Sequence, residues 1–207
     1  MNKIKFLVNA IALLLFSANM TAQSAADIMD SAAKQFKKNK SVESNYTIIF
    51  TDNGQRKTMT GGIVMQGNKY VNVMQGTKIW FNGKTQWTYV KENEEVTVTN
   101  PDKSDMAANN PYYFINSYKE DFNVSLLSET ASAYEMKLTP KQKGSDIQSV
   151  VLKFSKTNYR PLSLKINSGN GNVEIRIVSY KTGRSFRGNS FNFNKKKYPD
   201  VEIIDLR

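Results

Sequence analysis

Residues 69–90 read KYVNVMQGTKIWFNGKTQWTYV, and this stretch decides the fold. Three short apolar runs, 70–74, 78–81 and 85–90, are punctuated by Gln75-Gly76 and by Asn82-Gly83. An Asn-Gly pair adopts the left-handed backbone that a two-residue hairpin turn requires, and it is the strongest short hairpin signal in the chain. In the last run Trp87 and Tyr89 alternate with Gln86 and Thr88, the period-2 signature of a strand with two unlike faces. Strands that reverse every few residues pair with their sequence neighbours and form an antiparallel meander.

The same grammar extends in both directions. Upstream, Tyr46, Ile48 and Phe50 alternate with Thr47 and Thr51, the turn Asp52-Asn53-Gly54 follows, and 59–65 is the next strand, closed by Gln66-Gly67-Asn68. Downstream, 95–99 completes a first meander that ends at Pro101. Residues 101–110 read as a polar loop, and Pro111 starts a short helix over 112–118 carrying Tyr113, Phe114, Ile115 and Tyr118. A second meander occupies 123–127, 134–139, 147–154, 162–166 and 173–180, with a Gly/Asn loop at 167–172. The tail holds Phe191-Asn-Phe193, the run Lys195 to Lys197, Pro199 and a last strand over 201–206. Ahead of it all, 24–40 is an amphipathic helix: Ser24 and Asp27 form a partial capping box, and Ile28, Ala32 and Phe36 recur every fourth residue. The fold class expected is mainly β with helices: a single curved antiparallel sheet forming an incompletely closed barrel, covered by the N-terminal helix and the short inserted helix.

Residues 1–22 stand apart. Lys3 and Lys5 precede an apolar run over 6–16 broken only by Asn9, and small residues lead to a cleavage site between Ala22 and Gln23. This is the pattern of a secretory signal peptide, too short to cross a bilayer core, which takes about 20 residues. The expected mature chain, 23–207, suits one domain. Removing Lys3 and Lys5 lowers the formal charge from +11 to +9, since 1–22 contains no acidic residue. In an exported protein such a charge points to anionic membrane surfaces or acidic envelope partners rather than to nucleic acid.

Catalytic repertoires are narrow. With no cysteine and no histidine, thiol and Ser-His-Asp nucleophiles and the usual zinc sites are excluded. No phosphate-binding or dinucleotide motif occurs. A carboxylate pair could hydrolyse glycosides, but Glu92, Glu94 and Glu95 sit in an apparent hairpin turn, where a solvated role is the simpler reading. Lys195 to Lys197 likewise reads as a solvated loop before the last strand. No cofactor and no metal are called for.

The ordered motifs resemble the periplasmic outer-membrane lipoprotein carrier proteins, the LolA-like family. An N-terminal helix precedes a strand ending Phe50-Thr51, and Gly61-Gly62-Ile63-Val64-Met65 is similar to the family's second strand. Asn82-Gly83-Lys84-Thr85-Gln86-Trp87-Thr88-Tyr89 matches its D-G-K-x-x-W-x-Y hairpin, and Asn110-Pro111-Tyr112-Tyr113-Phe114-Ile115 resembles its helical insertion. Phe191-Asn-Phe193 followed by Pro199-Asp200-Val201-Glu202-Ile203 resembles its F-x-F…P-x-G-V-x-V ending. Nothing in the sequence demands more than a monomer, and the resemblance implies a non-enzymatic periplasmic chaperone that shields the acyl chains of lipoproteins. It would accept them from an inner-membrane ABC transporter and pass them to an outer-membrane acceptor. Where the family commonly has an Arg-Pro pair whose arginine helps hold a helical lid, this chain has Gln66-Gly67, so its lid must be held otherwise.

Period-2 alternation assigns the inward, lipid-binding positions. On the first meander these are Tyr46, Ile48, Phe50, Ile63, Met65, Trp87, Tyr89, Val96 and Val98; on the second they are Leu138, Leu152, Phe154, Leu164, Ile166, Ile175 and Ile177. Phe114 and Ile115, with Ile28 and Phe36, come from the helices that form the lid. Two other classes compete: a periplasmic lipid- or protein-binding sensor module on the same fold, since a fold does not determine function, and an envelope hydrolase, which would need facing carboxylates in a cleft.

Overall fold

The computed structural model describes residues 23–207; the expected signal peptide lies outside the described residues. Helix α1 (Ala25–Lys38) leads into β1 (Ser41–Asp52), β2 (Gln55–Gln66), β3 (Lys69–Met74), β4 (Thr77–Phe81), β5 (Gln86–Val90) and β6 (Glu95–Thr99). Helices α2 (Lys103–Asn109) and α3 (Tyr113–Asp121) interrupt the sheet. The chain then continues through β7 (Phe122–Glu129), β8 (Ala133–Pro140), β9 (Ile147–Ser155), β10 (Pro161–Ser168) and β11 (Gly171–Thr182). Two 3-10 turns, Gly188–Phe191 and Lys195–Lys197, precede β12 (Glu202–Asp205).

All strands join one 12-stranded sheet in the order β12-β6-β5-β4-β3-β2-β1-β11-β10-β9-β8-β7. The two meanders meet where β1 pairs antiparallel with β11, Ile48 opposite Ile175 and Phe50 opposite Val173. The outermost strands, β12 and β7, are not paired to each other, so the sheet curves without closing. The turns obey the sequence: Asp52 pairs with Gln55, and the two residues between them, Asn53 and Gly54, have φ of 46° and 77°, the left-handed pair of a type I′ hairpin.

Two expectations are corrected. The sheet is not wholly antiparallel, because β12 lies parallel to β6, Glu202 opposite Glu95. The tail crosses the sheet before pairing, and only a crossing connection can bring a strand back parallel. The stretch expected to be a polar loop contains α2. Asp102 caps it, accepting from the Asp105 amide at 2.9 Å, while Asp105 reaches back to the Asp102 amide at 3.2 Å. This is the reciprocal capping box that Ser24 and Asp27 form at α1.

The sheet has two covered faces. On the inner face, Ile28, Met29, Ala32, Ala33 and Phe36 of α1 and Phe114, Ile115 and Tyr118 of α3 pack with strand side chains into one core. On the outer face the tail covers β3–β6: Phe191 joins Val71 and Trp80, and Val201 joins Val96 and Val98. Among the described residues no helix is long and apolar enough to cross a membrane.

Candidate functional site: the helix-covered inner face

Alternation along each strand brings one row of side chains beneath the helices. Tyr46 and Ile48 of β1, Ile63 and Met65 of β2, Leu138 of β8, Leu152 and Phe154 of β9, Leu164 of β10 and Ile175 of β11 are all buried in the inner core. They meet Ile28 and Phe36 of α1 and Phe114 and Ile115 of α3 there, with Ile166 and Ile177 packed at its margin. The spacing also offered residues absent from the expected set: Met136 and Val150 share parity with Leu138 and Leu152, and Tyr70 and Phe81 pair across β3 and β4.

Five expected positions lie elsewhere. Trp87, Tyr89, Val96 and Val98 project to the outer face, against Phe193, Tyr198 and Val201. Period-2 alternation tells which residues share a face but not which face is inside, and the aromatic tail claims theirs: Tyr89 lies 4.9 Å from Tyr198, centroid to centroid. Their pairing registers, Trp80 with Trp87 and Trp87 with Val98, carry the inversion across β4–β6. Phe50 shares the parity of Tyr46 and Ile48 but sits near the strand end, 37 % exposed and outside the core.

Because of that inversion, the inner face at β5 is polar, and it meets α2. Asn72, only 2 % exposed, donates from its amide to the Asn109 carbonyl at 2.7 Å and accepts from the Tyr46 hydroxyl. Gln86 accepts from Tyr70 at 3.0 Å and from the Asn109 side chain at 3.5 Å. No side chain of helix α2 is fully buried; Met106 and Ala107 pack partly against the inner core, and these bonds, with the Lys103–Asp121 ion pair at 2.7 Å, add to its hold. Gln66, at the family's arginine position, instead accepts from the Phe186 amide at 3.3 Å and so anchors the tail rather than a helix.

Helix α3 is fastened at both ends. Tyr112, just before it, donates to Ser44 at 2.7 Å. Near its far end Tyr118 donates to Asp30, which also receives Lys119 at 2.6 Å. These two partners, Lys119 foremost, hold the Asp30 carboxyl below its ordinary value. Burial pushes the Tyr46 and Tyr180 hydroxyls up to about 12 and raises Tyr70 and Tyr112 as well. The buried polar residues of the described chain are all uncharged. Such a face can take up apolar chains and direct a few hydrogen bonds, and it offers no acid–base pair. Glu92 and Glu94 are exposed in the β5–β6 turn, and Glu95 accepts from Thr97 beside it; no carboxylates face each other in a cleft there. Lys195 spans the tail by donating to the Val201 carbonyl at 2.6 Å. Among the described residues no group of acidic side chains could hold a metal ion.

A family model described as outer membrane lipoprotein carrier protein LolA matches residues 15–170. The match ends before the tail, so the likeness of Phe191-Asn-Phe193 and the residues after it stands on those residues alone. No curated protein matches the chain. Among solved structures, an uncharacterized conserved protein from Thermus thermophilus superposes with a TM-score of 0.60 at 12% identity, covering 87% of this chain and 98% of that one. A DUF1329 family protein from Desulfovibrio piger gives 0.50 at 12% identity, covering 83% and 98%. A LolA superfamily protein from Nitrosomonas europaea gives 0.45 at 14% identity, covering 83% and 99%. At such identities the first two share the fold.

Proposed function

The chain belongs to the outer membrane lipoprotein carrier protein LolA family, and we propose that it shields the acyl chains of lipoproteins beneath α1 and α3 as they cross the periplasm. In this reading it is exported by residues 1–22, loaded by an inner-membrane ABC transporter and emptied by an outer-membrane acceptor. It acts without a cofactor.

The observation that carries the reading is the make-up of the inner face: an uncharged apolar row on the strands, occupied by apolar side chains from helices rather than by another sheet. Helices can leave without breaking a ladder of strand hydrogen bonds. The magnitudes allow the exchange. Burial of a large apolar side chain contributes about 1.5–3 kcal/mol, and each acyl methylene about 0.8 kcal/mol. Displacing Ile28, Met29 and Phe36 of α1 is therefore offset by roughly six to eleven methylenes, fewer than one long acyl chain offers. Three chains on one lipoprotein give a surplus, and an acceptor that buries them better can draw them out again.

Photocrosslinking tests the placement of the chains. A photoreactive residue at Leu138 or Leu164 should capture a triacylated lipoprotein, and one at Tyr89 or Val98 should not. Labelling from the outer pair alone would overturn the proposal; capture of a lipoprotein lacking its acyl chains would replace it with a protein-binding module.

A further inference from the structure

Between the end of α1 and the β2–β3 turn a cleft of about 640 Å³ opens at the margin of the inner core. Its floor is apolar, made by Phe36, Val42 and Met65, and its rim carries Lys37 and Lys40. No carboxylate lines it, and among the described residues neither lysine enters an ion pair. Two features set the cleft apart from an ordinary helix end. Ser41, a lining residue only 4 % exposed, carries just beneath the cleft surface a buried hydroxyl that has no hydrogen-bond partner, which native interiors seldom leave standing. Lys40, just past the helix cap, holds a left-handed φ of 57° where glycine is the usual occupant. The helix dipole accounts for cations near this terminus; it does not account for a lysine in a backbone conformation that disfavours side chains.

We propose that this cleft is a subsite for a single long-chain carboxylate. The chain lies on Phe36, Val42 and Met65, and the carboxylate meets Lys37 and Lys40 above the partnerless Ser41 hydroxyl. The volume falls within the roughly 300–1,000 Å³ of small-ligand sites, and an apolar floor under an unpaired cationic rim is the complement of an anionic amphiphile. The inference rests on the reading above in one respect, that an acyl chain can enter beside α1; the preference for charge is its own claim.

Isothermal titration of the mature protein with palmitate and with methyl palmitate, both below their aggregation limits, tests it. Palmitate should bind about tenfold more tightly, a gap of roughly 1.4 kcal/mol, and the gap should narrow at high ionic strength because the two lysines are exposed. In the Lys37→Gln/Lys40→Gln variant palmitate should fall to the affinity of the ester, with the ester unchanged. Equal binding of acid and ester by the unaltered protein, or a gap that survives in the variant, overturns the subsite. Charge-dependent palmitate binding in a protein that ignores lipoproteins would uphold the subsite and sink only the carrier reading. The reverse result would do the opposite.

Discussion

The side-chain amide of Asn72 donates to the main-chain carbonyl of Asn109 across 2.7 Å, so a residue buried in β3 grips the last residue of α2. The same side chain accepts from Tyr46 of β1, across the intervening β2, which makes it the junction of two non-adjacent strands and a helix. Helix α2 is thus held by a neutral amide from β3, while Gln66 anchors the tail.

Asn72→Leu keeps the side chain's size and removes both bonds, leaving the Tyr46 hydroxyl and the Asn109 carbonyl without partners. Denaturant unfolding should show a loss of about 1–3 kcal/mol, the cost of stranding buried polar groups. Hydrogen exchange should accelerate first in α2, which has no fully buried side chain and only Met106 and Ala107 packed partly against the core. Protection in α2 equal to that of the unaltered protein would mean that the latch does not restrain the helix.

Gly61 lies opposite Tyr46 in the β1–β2 pair, and a methyl group there would stand 2.5 Å from Tyr46 Cε2. The ring cannot give way freely, because it is buried and bonded to Asn72. Gly61→Ala should therefore destabilise by about 1–3 kcal/mol, as overpacking does. In a Tyr46→Ala background the same change should cost much less, a coupling that a double-mutant cycle of melting temperatures reads directly.

The clasp at Asp30 makes an acid-sensitive junction between α1 and α3. Its folded value lies below the ordinary 3.8, so the folded chain takes up this proton less readily than the unfolded chain. The contribution is thus complete above about 3.8 and is lost as pH falls through the depressed folded value. Asp30→Asn should flatten the stability profile across that acidic window and leave its slope elsewhere unchanged. An unaltered acid limb would show that the clasp contributes nothing.

Both tryptophans, Trp80 and Trp87, belong to the outer face beneath the tail. Brominated acyl chains, which quench indole on contact, should bind with little loss of tryptophan fluorescence. Strong quenching would put the chains on the wrong side of the sheet.

Strand order and turns were legible because Asn-Gly, Asp-Asn-Gly and Gln-Gly-Asn carry their own backbone geometry, and because alternation from Tyr46 to Phe50 or Leu152 to Phe154 is a local signal. The face of β5 and β6 was not, since Trp87 and Tyr89 look the same whether a helix or a tail covers them; only the distant Phe193, Tyr198 and Val201 decide. Helix α2 was legible and passed over: Asp102 and Asp105 repeat the spacing of Ser24 and Asp27, but Met106 and Ala107 are the only apolar support near its end. The latch formed by Asn72 and Gln86 joins residues far apart in sequence through polar side chains, for which periodicity has no signature.

As proposed above, this protein keeps lipoprotein acyl chains out of water. Native mass spectrometry of the mature protein mixed with a triacylated lipoprotein in detergent, followed by detergent removal, tests it most directly. A carrier should give a soluble one-to-one complex that fails to form when the lipoprotein lacks its acyl chains; aggregation of the lipoprotein beside bare protein would rule the carrier role out.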